Sequence, residues 1–149
     1  MKSLELKKIS GKGLRVLVVH TRWNSEIVNE LVSLCLETLR ESGCEVVVKD
    51  VPGCYELPFA CQTLLASTTE SFDGAVAIGL LIKGQTMHFE YISTATTSGL
   101  MQAQLELRKP IVFGVLTCLT EEQAKARIQH AKEWALTAIE MCLLKGCTK

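Results

Sequence analysis

Gly74-Ala75-Val76-Ala77-Ile78-Gly79-Leu80-Leu81-Ile82-Lys83-Gly84-Gln85-Thr86-Met87-His88-Phe89-Glu90-Tyr91 decides how this chain is read. The run up to Ile82 has no charge and no alternation, the pattern of a strand covered on both faces of a parallel sheet. Lys83-Gly84-Gln85-Thr86 then turns the chain, and Thr86 or Gln85 opens a helix. The first backbone N–H groups of a helix lack intrahelical partners and carry the positive end of its dipole, so phosphate is the natural ligand there. His88 lies in the first turn, close to any anion so bound. The spacing Gly79-x4-Gly84-Gln85-Thr86 is a near match to a nucleotide-binding loop. That reading is rejected, because Gln85 stands where the clamping lysine belongs and Gly79 falls inside the strand. Taken alone, His88 is more simply a helix-start histidine bonded to backbone.

Upstream, the pattern of strand, loop and helix occurs twice. Leu14-Arg15-Val16-Leu17-Val18-Val19-His20 is a β-branched run and reads as the first strand. Thr21-Arg22-Trp23-Asn24 follows, with Asn24 or Ser25 capping a helix whose Ile27, Leu31, Leu34, Cys35 and Thr38 keep helical spacing up to a stop at Gly43. Glu45 to Val51 is the second strand, and Pro52-Gly53-Cys54-Tyr55-Glu56-Leu57-Pro58 is its carboxyl-end loop. Pro58 fits the first turn of a helix running to Thr68.

Downstream, the helix from Thr86 to Leu107 brings Met87, Tyr91, Ala95, Gly99 and Leu105 into line and ends at Arg108-Lys109-Pro110. Ile111 to Leu116 is the fourth strand. Thr120-Glu121-Glu122-Gln123 reads as a capping box, after which Ala124, Ile128, Ala131, Ala135, Ala138, Ile139 and Cys142 carry an apolar stripe to the end.

Four strands alternating with four helices imply right-handed crossovers and a parallel sheet. The expected fold class is α/β: a three-layer α/β/α sandwich with a four-stranded parallel sheet, flavodoxin-like. Residues 1–13 form a charged N-terminal arm, able to pair as an edge strand with a neighbour, and 14–149 a single α/β domain. Ligands of such sheets bind beyond the carboxyl ends of the strands. Those ends hold Arg22-Trp23-Asn24, Tyr55-Glu56, Lys83 to His88 and Leu116 to Thr120, which together describe a pocket for a flat polar ring and a phosphate.

Composition narrows the partners. Lys+Arg and Asp+Glu both number 16, so no basic field exists to hold nucleic acid or an anionic membrane, and any phosphate is bound locally. With 48% hydrophobic residues, the 149-residue chain has more apolar surface than a small monomer easily hides, which points to oligomeric contacts. Its seven cysteines are an odd set without metal-ligand spacing and read as reduced, mostly buried thiols; no metal site is expected. There is neither a signal-like N-terminus nor an uninterrupted span of ~18 apolar residues, so the cytoplasm is the expected compartment.

The ordered motifs His20-Thr21-Arg22-Trp23-Asn24, Val51 to Pro58, Ile82 to Ser93 and Phe113 to Ala124 resemble the lumazine synthase family, in particular its fungal type. The likeness runs from about Leu14 to Met141. It implies a transferase of riboflavin biosynthesis that condenses 5-amino-6-(ribitylamino)uracil with 3,4-dihydroxy-2-butanone 4-phosphate, releasing phosphate and water to give 6,7-dimethyl-8-ribityllumazine. It further implies that Trp23 stacks on the pyrimidine, with Asn24 beside it, and that the backbone around Leu81, Ile82 and Lys83 reads the ring's polar edge. Tyr55 and Glu56 would hold the ribityl chain, Gln85 and Thr86 the phosphate, and His88 would move protons, with no metal or organic cofactor. The family builds each site between neighbours in a homopentamer, so Phe113 and Arg127 would reach into the adjoining pocket. Without the resemblance, Trp23 is a strand-end core aromatic, Glu56 a helix-start carboxylate and Arg127 a solvated helix charge.

One stretch departs from the family pattern. Between Arg127 and Trp134 stand only Ile128-Gln129-His130-Ala131-Lys132-Glu133, where the family carries a longer, glycine-containing segment, in fungal members His-Asn-His-Gly before an acidic residue and Trp. His130, Glu133 and Trp134 read as its remnant, His130 and Glu133 as secondary site candidates, and the shortening predicts that two helical pieces merge into one. It also motivates a second reading, a non-catalytic relative that binds lumazine- or flavin-like rings or serves as a scaffold. The joint presence of Trp23, Glu56 and His88 argues against that. A phospho-acceptor domain would need clustered acidic residues after the first strand, where His20-Thr21-Arg22 supplies none.

Overall fold

A computed structural model describes residues 8–146. The order is β1 (Arg15–Thr21), α1 (Ser25–Glu41), β2 (Glu45–Val51), a 3-10 turn (Cys54–Glu56), α2 (Leu57–Leu65), β3 (Gly74–Ile82), α3 (His88–Leu107), β4 (Ile111–Cys118), α4 (Glu121–Lys125) and α5 (His130–Gly146). All strand pairings are parallel, in the order β2-β1-β3-β4. Because successive side chains point to opposite faces, each central strand feeds two cores. Val16, Val18, Val76, Ile78 and Leu80 pack against Leu31, Cys35 and Leu39 of α1 and Ala131, Ala135 and Ile139 of α5. Leu17, Val19, Ala75 and Ala77 pack against Leu57, Cys61 and Leu65 of α2 and Leu100 and Ala103 of α3. This is the expected three-layer sandwich.

The helix ends show which local signals the chain obeys. Gly43, at φ 95°, closes α1 as anticipated, with Cys44 N–H donating to Leu39 O at 3.1 Å. Thr120 caps α4 by accepting from Gln123 N–H at 3.2 Å, and the Gln123 side chain answers by accepting from Leu119 N–H at 2.8 Å. Asn24 occupies the cap position of α1 in a left-handed conformation (φ 58°) but makes no side-chain cap; its amide donates instead to Leu80 O at 3.2 Å. α2 stops at Leu65, short of Thr68, and α3 begins at His88, leaving Gln85 and Thr86 in the preceding turn.

One expectation fails for a physical reason. The stretch after Arg127 does not merge the helices: four residues of turn, 126–129, separate α4 from α5. There Arg127, His130, Ala131 and Lys132 N–H groups bond three residues back, a tighter winding that breaks the α register. Of the residues that fall into line along α3, only Gly99 packs on α2. Thr96, Leu100 and Ala103 are buried, whereas Met87, Tyr91 and Leu105 are exposed, Tyr91 by 70%. Gly99 explains the choice of face: a Cβ there would lie 2.8 Å from Pro58, so α3 presents its glycine side to α2. The six described cysteines are buried and free, as expected; Cys147 and residues 1–7 of the N-terminal arm lie outside the described residues. No described helix is long and apolar enough to cross a membrane.

Candidate active site

In the order β2-β1-β3-β4 the chain reverses direction across the sheet at the β1/β3 boundary, and the crevice there is the natural binding place. β3 outruns β1: their ladder ends at His20 and Ile78, while β3 continues beside β4 to Ile82 and Cys118. The overhang leaves a gap on the β1 side. A cleft of about 550 Å³ fills it, lined by Trp23, Asn24, the 53–56 turn, Leu80, Leu81, Ile82, His88 and Ile92.

The backbone of the overhang is not uniformly available. Successive residues of a strand aim their amides to opposite sides. Lys83 N–H donates to Cys118 O at 2.9 Å, so Leu81 and Lys83 serve the β4 side. Leu80 faces the other way, and its carbonyl takes the Asn24 amide while its N–H lies against the Cys54 thiol. Ile82 is the next residue on the cleft side, where β1 no longer runs. Of the three residues expected to read a ring edge, Ile82 is therefore the one whose backbone faces the cleft.

Glycine and threonine set the 53–56 turn. A Cβ on Gly53 would stand 3.2 Å from Trp23 Cδ1 and 3.5 Å from Glu56 Oε1, so the bare glycine lets indole and carboxylate converge over one backbone position. Gly79 does the same underneath, where a Cβ would lie 2.7 Å from Cys54 Sγ and 3.1 Å from Thr21 Cγ2. Thr96 Oγ1 donates to Cys54 O at 3.1 Å and ties the turn to α3. Burial pushes the Cys54 thiol up to about 11, against a smaller opposing effect of the Leu80 amide, so it is a packed thiol at neutral pH. The result is a fixed floor beneath exposed side chains: Trp23 is 72% exposed, Tyr55 62%, and His88 is exposed at the start of α3.

The turn before α3 has its own bracing. Lys83 Nζ pairs with Glu90, donates to Thr86 O at 3.3 Å and lies 5.9 Å from the centre of the Phe89 ring. The hydrogen bond from Lys83 holds the Glu90 carboxyl below the usual carboxylate range. Thr86 Oγ1 accepts from His88 N–H at 3.4 Å, and the first backbone bond of the helix is Tyr91 N–H to Met87 O at 3.2 Å. Gln85 and Thr86 are exposed and do not line the β1/β3 cleft.

The remaining candidates lie elsewhere. A second cleft, about 370 Å³, opens along the free edge of β4 and is lined by Phe113, Val115 to Cys118, Gln123, Arg127, His130 and Trp134. Trp134 reaches the strand because Gly114 has no side chain; a Cβ there would stand 2.9 Å from the indole. Arg127 uses one guanidinium nitrogen on Gln123 O at 2.9 Å. Phe113 is 40% exposed. His130 faces this cleft, whereas Glu133 does not contribute to its lining. The candidates thus fall into two separate clefts, one with Trp23, Glu56 and His88, the other with Phe113 and Arg127. Among the described residues no group of three or more His, Cys, Asp or Glu is placed to hold a metal ion.

Cys54, Thr96 and Ile92 escaped sequence reasoning. Nothing in a mid-helix threonine or isoleucine signals a neighbour some forty residues away, and Cys54 resembled any other apolar loop residue.

Residues 13–146 match the family model described as 6,7-dimethyl-8-ribityllumazine synthase. The chain is 42% identical over 145 residues to the 6,7-dimethyl-8-ribityllumazine synthase of Aquifex aeolicus (strain VF5), covering 92% of this chain and 93% of the relative. It is 40% identical over 145 residues to that of Schizosaccharomyces pombe, covering 91% and 90%, and 38% identical to that of Pyricularia oryzae, covering 88% of each. The likeness is thus shared between fungal and bacterial relatives.

Proposed function

The chain belongs to the 6,7-dimethyl-8-ribityllumazine synthase family, transferases of riboflavin biosynthesis, and from that premise we propose how its two clefts divide the work. The β1/β3 cleft takes 5-amino-6-(ribitylamino)uracil. The ring lies on Trp23, its polar edge meets the backbone of Ile82, and the ribityl hydroxyls meet Glu56 and Tyr55. 3,4-Dihydroxy-2-butanone 4-phosphate enters beside it with its phosphate at the Gln85-Thr86 turn, just before the start of α3, where a helix leaves its first N–H groups without intrahelical partners.

The reaction needs proton traffic more than electrophilic force. The ring amine attacks the ketone, water leaves to give a Schiff base, phosphate is eliminated, and the ring closes with loss of a second water. His88, exposed at the mouth of the cleft one turn from the proposed phosphate position, is the group placed to carry these protons. Holding two substrates in register supplies much of the remainder, up to ~7–11 kcal/mol in favourable cases.

The separation of the two clefts carries the second half of the reading. Arg127 and Phe113 sit on the β4 edge, away from Trp23 and His88, and complete a site when a neighbouring copy docks its β4 edge against this cleft. A ring of copies, a homopentamer, closes such a head-to-tail contact. The exposed Phe59, Tyr91, Met101 and Leu105 give that contact apolar surface.

The first test mixes the protein with both substrates and follows lumazine absorbance above the spontaneous condensation. The second mixes His88→Ala and Arg127→Ala subunits after dissociation. Shared sites predict that about a quarter regain both groups and recover wild-type turnover; sites confined to one chain predict no recovery.

A further inference from the structure

Gly84-Gln85-Thr86-Met87 is a short irregular stretch between β3 and α3, and its backbone has little ladder or helix to hold it. Both of its ends are nevertheless fixed by one side-chain pair. Lys83, the first residue beyond β3, is anchored by its own N–H to Cys118 O of β4 at 2.9 Å. Its ammonium crosses the turn to Glu90 in the first turn of α3, donating on the way to Thr86 O at 3.3 Å and passing the Phe89 ring. Glu90 is thereby drawn to the strand end, and His88, two residues before it, moves with it. The pair is partly shielded, with 31% and 38% of the two side chains exposed.

We propose that Lys83 and Glu90 form a positioning latch for the phosphate-binding turn, fixing Gly84 to His88 without either side chain contacting phosphate. The inference rests on the reading that this turn holds the phosphate of the four-carbon substrate. Two features favour a latch over a direct lysine ligand. The Lys83 charge is already satisfied by Glu90, Thr86 O and the ring, so it offers no free cation to an anion. The carboxylate in the first turn of α3 would also repel phosphate if Lys83 left it. An anion in the turn is then bound by backbone N–H groups whose directions the latch sets.

The test compares Lys83→Met, Glu90→Gln, the double variant and Lys83→Arg. It reads KM for each substrate, inhibition by inorganic phosphate, and amide hydrogen exchange across 84–88. A latch predicts that either single variant raises KM for the phosphate substrate and the inhibition constant of phosphate about fivefold, the scale of a half-buried ion pair. KM for the pyrimidine stays unchanged, exchange across 84–88 speeds up, the double variant is no worse than either single one, and Lys83→Arg stays near wild type. The proposal is overturned if Glu90→Gln tightens phosphate binding while Lys83→Met weakens it, since Lys83 is then itself the ligand. It is equally overturned if exchange across 84–88 is unmoved. A wild-type protein that forms no lumazine would sink the functional reading instead, and the exchange rates would still judge the latch.

Discussion

Gly79→Ala tests whether the floor of the cleft is as tightly fixed as its geometry states. The new methyl would stand 2.7 Å from Cys54 Sγ and 3.1 Å from Thr21 Cγ2. To reach the ~3.5 Å of ordinary contact the thiol must retreat by roughly 0.8 Å. It has little room to do so, being 4% exposed, with its own carbonyl held by Thr96. Overpacking of this kind costs about 1–3 kcal/mol, and the lower chain entropy of alanine in the unfolded state returns about 0.5–1, so a net loss of about 1–2 kcal/mol is expected. Because Cys54 leads directly into Tyr55 and Glu56, KM for the pyrimidine should rise with it. Removing the obstacle should remove the cost: in a Cys54→Ala background, Gly79→Ala should be close to neutral, a coupling of about 1–2 kcal/mol. Urea unfolding of the four proteins at one protomer concentration measures this, with pyrimidine KM as the second readout. Additive effects would refute the reasoning, because they would mean that the methyl's cost does not arise at Cys54.

His88→Ala should slow lumazine formation by ~10²-fold at saturating substrates and leave assembly intact; unchanged turnover would take His88 out of the mechanism. Arg127→Ala should chiefly raise KM for the phosphate substrate, with the pyrimidine KM as the internal control. Thr120→Ala should cost about 1 kcal/mol by removing the cap of α4, read as a shift in urea midpoint. Burial pushes the Cys35, Cys61 and Cys142 thiols from 9.0 up to about 12, so above pH 9.0 the unfolded chain ionises while the folded one does not. Their contribution to stability is therefore intact below pH 9.0 and falls as pH rises towards 12; urea midpoints should drop across that range, and less steeply in Cys61→Ala.

The central strand was legible because burial on both faces leaves no charged residue inside it, and Gly74–Ile82 begins and ends where the uncharged run does; the edge strand Glu45–Val51, which carries Lys49 and Asp50, was marked instead by its run of valines. The binding end of the sheet followed from topology, and the motifs at the strand ends carried the family. Helix ends were less legible where a side chain had two partners in reach. Asn24 is an ordinary capping residue by sequence, but the unpaired Leu80 carbonyl across the cleft competes for its amide and wins. The break at 126–129 was not legible because no residue there is a breaker; tighter turns bring His130 toward the β4 edge and let Trp134 lie on Gly114, a long-range contact that periodicity does not encode.

The inward face of α3 is the most informative of the features that periodicity leaves open. A helix is assigned its inner side by its apolar residues, and here Met87, Tyr91 and Leu105 invite that assignment. The helix instead turns inward the side with Thr96, Gly99, Leu100 and Ala103, whose small residues allow close packing on Pro58 and place a hydroxyl on the Cys54 carbonyl. Site geometry and outward apolar surface are therefore set by one rotation of the helix: the rotation that pins the floor of the substrate cleft also exposes Tyr91 and Leu105. On the proposed reading, a second copy that covers this surface would also bring the Arg127 and Phe113 that the β1/β3 cleft lacks. Assembly and activity should on this account be lost together when α3 is rotated or its outer stripe made polar, even though neither Tyr91 nor Leu105 lines the β1/β3 cleft.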